Sequence, residues 1–347
     1  AFDQIVSTRY HIYNSLFLNL PFSKIYRTGT LLPFVQQYAE EGFEEGKDPQ
    51  DIVEQFFSDF APKTSPEERF DLLFSFIQYT ERQVVLFDSI EDAAFDKVND
   101  LNGRGTVSAL LLRASSEEKL QKLRKKLEQF SVRVVLTAHP TQFYPGNVLA
   151  IINDLEQAIR HDNLADINAL LQQLGKTPII NREKPSPFEE AVSLCWYLEN
   201  VFYHAAPEIV SRLIRALGQT PQEWKNFNLL SIGFWPGGDR DGNPFVTHDT
   251  TLKVSARLNE TILKCYHRDL RILRRRLTFR GVDALVVEAE RNVYEAIYYE
   301  GKGYRKSDEL LAVLFRIREL LVNEHQRLFV EQLDAFIVKV KMFGFFF

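Results

Sequence analysis

The chain has 347 residues, enough for one large domain or two ordinary ones, and its 45% hydrophobic and 26% charged residues are an ordinary mix for a globular protein. A formal net charge of −5 gives no electrostatic case for nucleic acid or an anionic membrane as partner, but a local group of arginines can still serve an anionic small molecule. No apolar run approaches the roughly 20 residues of a membrane span. The opening Ala1-Phe2-Asp3-Gln4 lacks an initiating Met, a basic stretch and an apolar stretch, which predicts a cytoplasmic protein trimmed at its start.

Helical signals dominate the first 130 residues. Ser65-Pro66-Glu67-Glu68 supplies a capping serine, a first-turn proline and a reciprocal glutamate, after which Phe70, Leu73, Phe74 and Ile77 recur at helical spacing. Asn102-Gly103-Arg104-Gly105 reads as a flexible loop; as a phosphate cradle it lacks a preceding strand and a Walker lysine. Ser115 and Glu118 repeat the capping pattern before Leu120, Leu123, Leu127 and Phe130. Residues 133–137 then read as a short apolar strand.

Residues 181–187 are polar and proline-bearing, a surface connection. Ser186-Pro187-Phe188-Glu189 opens another capped helix, on which Cys195 shares a face with Ala191, Leu194, Leu198 and Phe202. Cys195 and Cys265 both fall within apolar helical patterns, so buried thiols are expected in place of a disulfide or a metal site. Residues 229–234 give the second strand signal. Asp249 is expected to cap a long helix towards Arg280, closed by Gly281, and Asp308 to cap another carrying Leu310, Leu314, Ile317 and Leu321. Residues 343–347 are the third strand signal.

Short strands separated by long helical stretches predict parallel pairing, because parallel neighbours need crossover connections. The expected fold class is mainly α with a few parallel strands: the opening part of an α/β barrel with large helical insertions. The expected division is a helical N-terminal region, 1–130, followed by 131–347 with the first strands of an incomplete barrel.

Two runs carry the chemistry. In the first, an apolar strand leads to His139, whose backbone is held extended by Pro140. A histidine at the C-terminal edge of such a strand can take or give a proton at neutral pH; the alternative is a residue that caps the strand end by hydrogen bonding. In the second, Gly237, Gly238 and Gly242 with Asn243-Pro244 shape a tight loop around Arg240. Asp239 and Asp241 are placed to hold its guanidinium, whose planar fork suits phosphate or carboxylate; the alternative is an Asp–Arg network that only stiffens the loop. Asp239, Asp241 and Asn243 also match the first ligand positions of a calcium loop, but Pro244 and Thr250 stand where glycine and glutamate are needed, which rejects calcium. Arg268, Arg271, Arg274, Arg275, Arg276 and Arg280 scatter around several helical faces and read as a solvated face or a subunit contact.

Thr137-Ala138-His139-Pro140-Thr141 and the run 237–244, continuing Phe245-Val246-Thr247, resemble the two N-terminal signature blocks of phosphoenolpyruvate carboxylases. Tyr304-Arg305 resembles a third, weaker block, and Phe343-Gly344-Phe345 the start of the strand that leads to the next catalytic segment. The resemblance runs from about Val132 to the end of the chain and implies a divergent bacterial-type member, seen in its N-terminal portion. It implies a barrel buried among helices, a homotetramer, and the carboxylation of phosphoenolpyruvate by bicarbonate to oxaloacetate and phosphate. It also implies a magnesium or manganese ion stabilising the enolate, with ligands outside this chain and none within it. His139 and Arg240 would be catalytic, Arg240 also binding the phosphate region of the substrate. The family's sequences run well beyond Phe347, so the chain alone is expected to be inactive. Where the family often has a glutamate followed by paired arginines, this chain has Gln142-Phe143-Tyr144-Pro145-Gly146. The alternatives are a non-catalytic helical scaffold and a regulatory anion-binding module.

Overall fold

Apolar residues recurring every three or four positions, punctuated by Ser, Thr, Asp and Asn caps, set most of the architecture. A computed structural model describes residues 2–18, 20, 26–137, 144, 146–179, 185–241 and 243–347. In chain order the elements are α1 (Thr8–Leu18), α2 (Tyr26–Glu44), α3 (Pro49–Phe60), α4 (Pro66–Val98), α5 (Val107–Ser116), α6 (Leu120–Leu127) and β1 (Val132–Leu136). There follow α7 (Gly146–Arg160), α8 (Leu164–Lys176), α9 (Pro187–Tyr197), α10 (Tyr203–Ala216) and β2 (Leu230–Phe234). Helices α11 (His248–Arg276), α12 (Asp283–Tyr298), α13 (Ser307–Asn323) and α14 (Val330–Phe343) complete the chain. Among the described residues the only strands are β1 and β2, and they run parallel.

The chain forms two compact units, one of residues 1–101 and 142–183, the other of 102–141 and 184–347. In the first, α1–α4, α7 and α8 bury Phe17, Phe56, Phe57, Tyr79, Leu86, Leu155 and Leu171 in one core. Phe17 stacks on Tyr79 with ring centroids 4.7 Å apart. The buried Arg82 of α4 donates from Nε to the Leu174 carbonyl at 3.0 Å and from Nη2 to that of Thr177 at 2.9 Å. It thereby gives a second donor to the Leu174 carbonyl, which also accepts from the Thr177 N–H at 3.3 Å, and a donor to the carbonyl of Thr177, the C-cap of α8.

In the second unit, α11 to α14 pack around Ile262, Tyr266, Val286, Leu314, Ile317, Leu333 and Ile337. Beside the buried Tyr203 ring, the Tyr203 hydroxyl donates to Oδ2 of the part-buried Asp269 at 2.7 Å, and Nζ of the part-buried Lys339 donates to the same oxygen at 2.7 Å. Lys339 Nζ also lies 4.2 Å from the centroid of the Tyr203 ring. Helices α10, α11 and α14 are thus joined by one network whose charges compensate each other.

Local signals located most elements. The capping boxes at Ser65 and Ser186 are both formed, with each serine hydroxyl bound to the backbone of the glutamate three residues on. Leu310, Leu314, Ile317 and Leu321 are all buried on α13.

Four expectations are corrected. Ser115 lies inside α5, which is capped by Thr106; the chain then reverses at Glu118 (φ 52°), and α6 begins without a side-chain cap. Helix α11 is capped by Thr247, not Asp249, and ends at Arg276 because residues 277–282 turn ahead of α12, short of Arg280 and Gly281. Residues 343–347 are not a strand: α14 runs to Phe343 and stops at Gly344, whose φ of 58° suits glycine. Helix α13 follows an N-cap at Lys306, and Asp308, the expected cap, lies inside its first turn. On α4 the helical spacing of Phe70, Leu73, Phe74 and Ile77 holds; Leu73 packs against the core, and Phe70, Phe74 and Ile77 are exposed. Apolar side chains occur on both sides of this helix, so spacing alone does not select the inner face.

Cys195 and Cys265 are buried free thiols. Burial pushes both thiols up, Cys265 to about 11 even though Arg268 opposes the shift. Peptide-resolved alkylation at pH 8 should therefore leave both unlabelled in native protein and label both in denaturant. Fast native labelling of either would contradict the packing described here.

Candidate active site

Residues 132–136 and 230–234 pair in parallel, with Val132 opposite Leu230 and Leu136 opposite Phe234. Apolar, largely β-branched side chains make residues 132–136 a good strand, and Gly233 lets Val135 and Arg133 pack close to β2. The Trp235 amide donates to the Leu136 carbonyl at 2.9 Å and carries the pairing one step past β2. Both strands therefore deliver the chain to the same edge of the sheet. Beyond β1 the chain reaches His139 three residues later; His139 and Gly242 lie outside the described residues.

The loop after β2 is fastened to the first two turns of α11. Gly238 N–H donates to the Trp235 carbonyl at 2.9 Å, closing a turn around Gly237. Gly237 has φ 76°, and a Cβ there would stand 2.5 Å from Cγ2 of Val254. Only glycine fits this left-handed position against the helix. Further on, Asn243 Oδ1 accepts from the Phe245 amide at 3.1 Å, an Asx turn that directs the chain to the Thr247 cap.

Arg240 stands exposed on this loop, and its Nη2 donates to Thr251 Oγ1 at 3.0 Å. The Thr251 hydroxyl donates in turn to the Gly237 carbonyl at 2.7 Å. Among the described residues no ion pair joins Arg240 to Asp239 or Asp241; its partner is the threonine. Side chains adjacent along a chain leave it in different directions, so flanking carboxylates are poorly aimed at the guanidinium between them. Thr251 was not singled out in the sequence; its signal is a hydroxyl one helical turn after the Thr247 cap.

The remaining candidates lie elsewhere in the second unit. Arg305 N–H and Lys306 N–H both donate to Glu309 Oε2 at the start of α13, which makes the Tyr304-Arg305 block a helix entry. Of the arginine cluster, Arg268 pairs with Glu199 at 2.7 Å, Arg274 with Glu290 at 2.8 Å, and Arg276 lies over the Phe329 ring. Among the described residues no group of three or more His, Cys, Asp or Glu side chains is arranged to hold a metal ion. Also among them, no helix is long and apolar enough to cross a membrane.

The phosphoenolpyruvate carboxylase family model matches residues 67–292, more than half of the chain and all of the two-strand site. The chain belongs to the phosphoenolpyruvate carboxylase family. A phosphoenolpyruvate carboxylase of Shewanella sediminis is 28% identical over 195 residues, covering 52% of this chain and 22% of the relative. One of Haemophilus influenzae is 31% identical over 153 residues, covering 39% of this chain and 17% of the relative. Phosphoenolpyruvate carboxylase 2 of Chlamydomonas reinhardtii is 29% identical over 190 residues, 50% of this chain and 15% of the relative. The chain thus spans less than a quarter of the length of the curated relatives it matches.

The seating of Gly237 on Val254 gives a stability expectation. Gly237→Ala should cost about 1–3 kcal/mol from the left-handed backbone and the overlap with Val254. Gly238→Ala, whose added Cβ meets among the described residues the Trp235 carbonyl oxygen at 3.3 Å, should cost clearly less. Urea denaturation of the two variants side by side makes the comparison, and equal losses would refute the close seating of Gly237.

Proposed function

We propose that this chain forms part of a phosphoenolpyruvate carboxylase, which converts phosphoenolpyruvate and bicarbonate to oxaloacetate and phosphate. The observation that carries the reading is the parallel register of Leu136 with Phe234, which puts at one sheet edge the two strand ends that lead, in sequence, towards the histidine run and into the arginine loop. Family membership and the glycine-shaped loop around Arg240 support it. In this reading bicarbonate attacks the phosphorus, and Arg240 binds phosphoryl oxygens as negative charge shifts among them. Carboxyphosphate and the enolate of pyruvate result. His139 then takes the proton of carboxyphosphate, carbon dioxide is released beside the enolate, and the new carbon–carbon bond forms.

Magnesium or manganese belongs to the proposed reaction, with ligands proposed to lie outside this chain; when bound it would stabilise the enolate as a Lewis acid. The wider proposal includes an α/β barrel preceded by a helical region over 1–130 and opening at 131–347, a homotetramer, and a cytoplasmic location. Val132, Val134 and Val135 of β1 are 43, 38 and 44% exposed, which supports further strands or helices covering this pair.

Two experiments test the proposal. In the complete gene product, Arg240→Gln should lower kcat/KM by at least ~100-fold, the scale seen when one preorganised charge stabiliser is lost. His139→Asn should cut oxaloacetate formation by ~10²–10⁴-fold, the usual range for a general acid–base group. The histidine variant should still release phosphate and pyruvate in a bicarbonate-dependent way, because a stranded enolate is protonated. Equal loss of phosphate and oxaloacetate would place His139 before phosphoryl transfer, and normal kinetics in both variants would leave a scaffold. Separately, the 347-residue chain alone should form no oxaloacetate in an assay coupled to its reduction. Bicarbonate-dependent formation by the isolated chain would overturn this expectation.

A further inference from the structure

We propose that Thr251 is a positioning residue for Arg240, orienting the guanidinium while leaving its charge for an anion; this rests on the phosphoryl-binding role proposed above. A threonine hydroxyl has one proton to donate and two lone pairs to accept with. Here the proton goes to the Gly237 carbonyl at 2.7 Å, and a lone pair receives Arg240 Nη2 at 3.0 Å. The Thr247 carbonyl, 3.2 Å away, lies on the same helix and offers the hydroxyl a second acceptor. One oxygen therefore binds the entry of the loop, its functional side chain and the first turn of α11.

Three features make this more than loop stiffening. Arg240 is exposed, so without a partner its long side chain would sample many rotamers. The partner is neutral: a carboxylate in its place would fix the guanidinium and also cancel the charge that an anion must feel. The support beneath Thr251 is itself fixed, because Val254, one turn further along α11, packs against Gly237 where no side chain fits. A rigid helix thus sets the height and direction of the arginine.

The test compares Thr251→Val and Thr251→Ser in the complete gene product, each with Arg240 intact and with Arg240→Gln. Valine keeps the shape and removes the hydroxyl, and should lower kcat/KM for phosphoenolpyruvate about tenfold, as expected for one hydrogen bond to a charged group. Serine should restore the value to within about twofold, and in the Arg240→Gln background valine should change it by less than about twofold. An equal valine effect in both backgrounds, or no recovery with serine, would overturn the inference whatever the thermal stability of the variants. Failure of the carboxylase reading registers separately, as a wild-type protein that forms no oxaloacetate. Calorimetric titration with inorganic phosphate then carries the comparison. Weaker phosphate binding in both Thr251→Val and Arg240→Gln supports the inference; unchanged affinity in either variant overturns it.

Discussion

The parallel pairing of residues 132–136 with 230–234 is the contact on which the candidate site depends. Parallel hydrogen bonds cannot be closed by a tight turn, so the chain must leave β1, cross over and return in the same direction. Among the described residues the crossover holds α7 to α10, and α7 and α8 belong to the other compact unit. The pairing therefore spans a long loop whose closure entropy is recovered only when those helices find their own cores. Local motifs on either strand would remain separate loops without it.

The arginine loop depends on this pairing in one direction and on α11 in the other. Trp235 extends the ladder from β2, Gly237 turns against Val254, and Thr251 receives the arginine. The loop is held at both ends by ordinary backbone and packing forces, and Arg240 needs no neighbouring carboxylate to be oriented. Rigid support of this kind is what allows an exposed, flexible side chain to serve as a binding group.

Much of the fold was legible because its signals are local. Ser65 and Ser186 announce helix starts through contacts that span only three residues, and β1 and β2 stand out as short apolar runs ending in turn residues. What was misread depends on context. Ser115 has the right successor at Glu118, but it already belongs to a helix nucleated at Thr106. The aromatic run 343–347 suits a strand equally well until the preceding α14 is seen to use Phe343 as its last turn. Asp308 is a residue type that caps helices, but it lies inside the first turn of α13, whose N-cap is Lys306. At the candidate site, the glycines and Arg240 were visible as a dense motif. Thr251 was not, since its role arises from a contact across eleven residues between a loop and a helix. His139, the other half of the reading, lies outside the described residues.

The network of Tyr203, Asp269 and Lys339 has an evolutionary consequence. Asp269 Oδ2 is shared by a phenol and an ammonium, and each charged group is acceptable in this core because of the other. Replacing Asp269 alone leaves the Lys339 cation beside the Tyr203 ring without its carboxylate, and replacing Lys339 alone leaves the half-buried Asp269 without its cation. Single substitutions are thus unfavourable intermediates, whereas a paired change to well-packed apolar residues is not. The two positions, 70 residues apart, should drift as a linked pair among descendants of this sequence, so that charge is kept at both or lost from both.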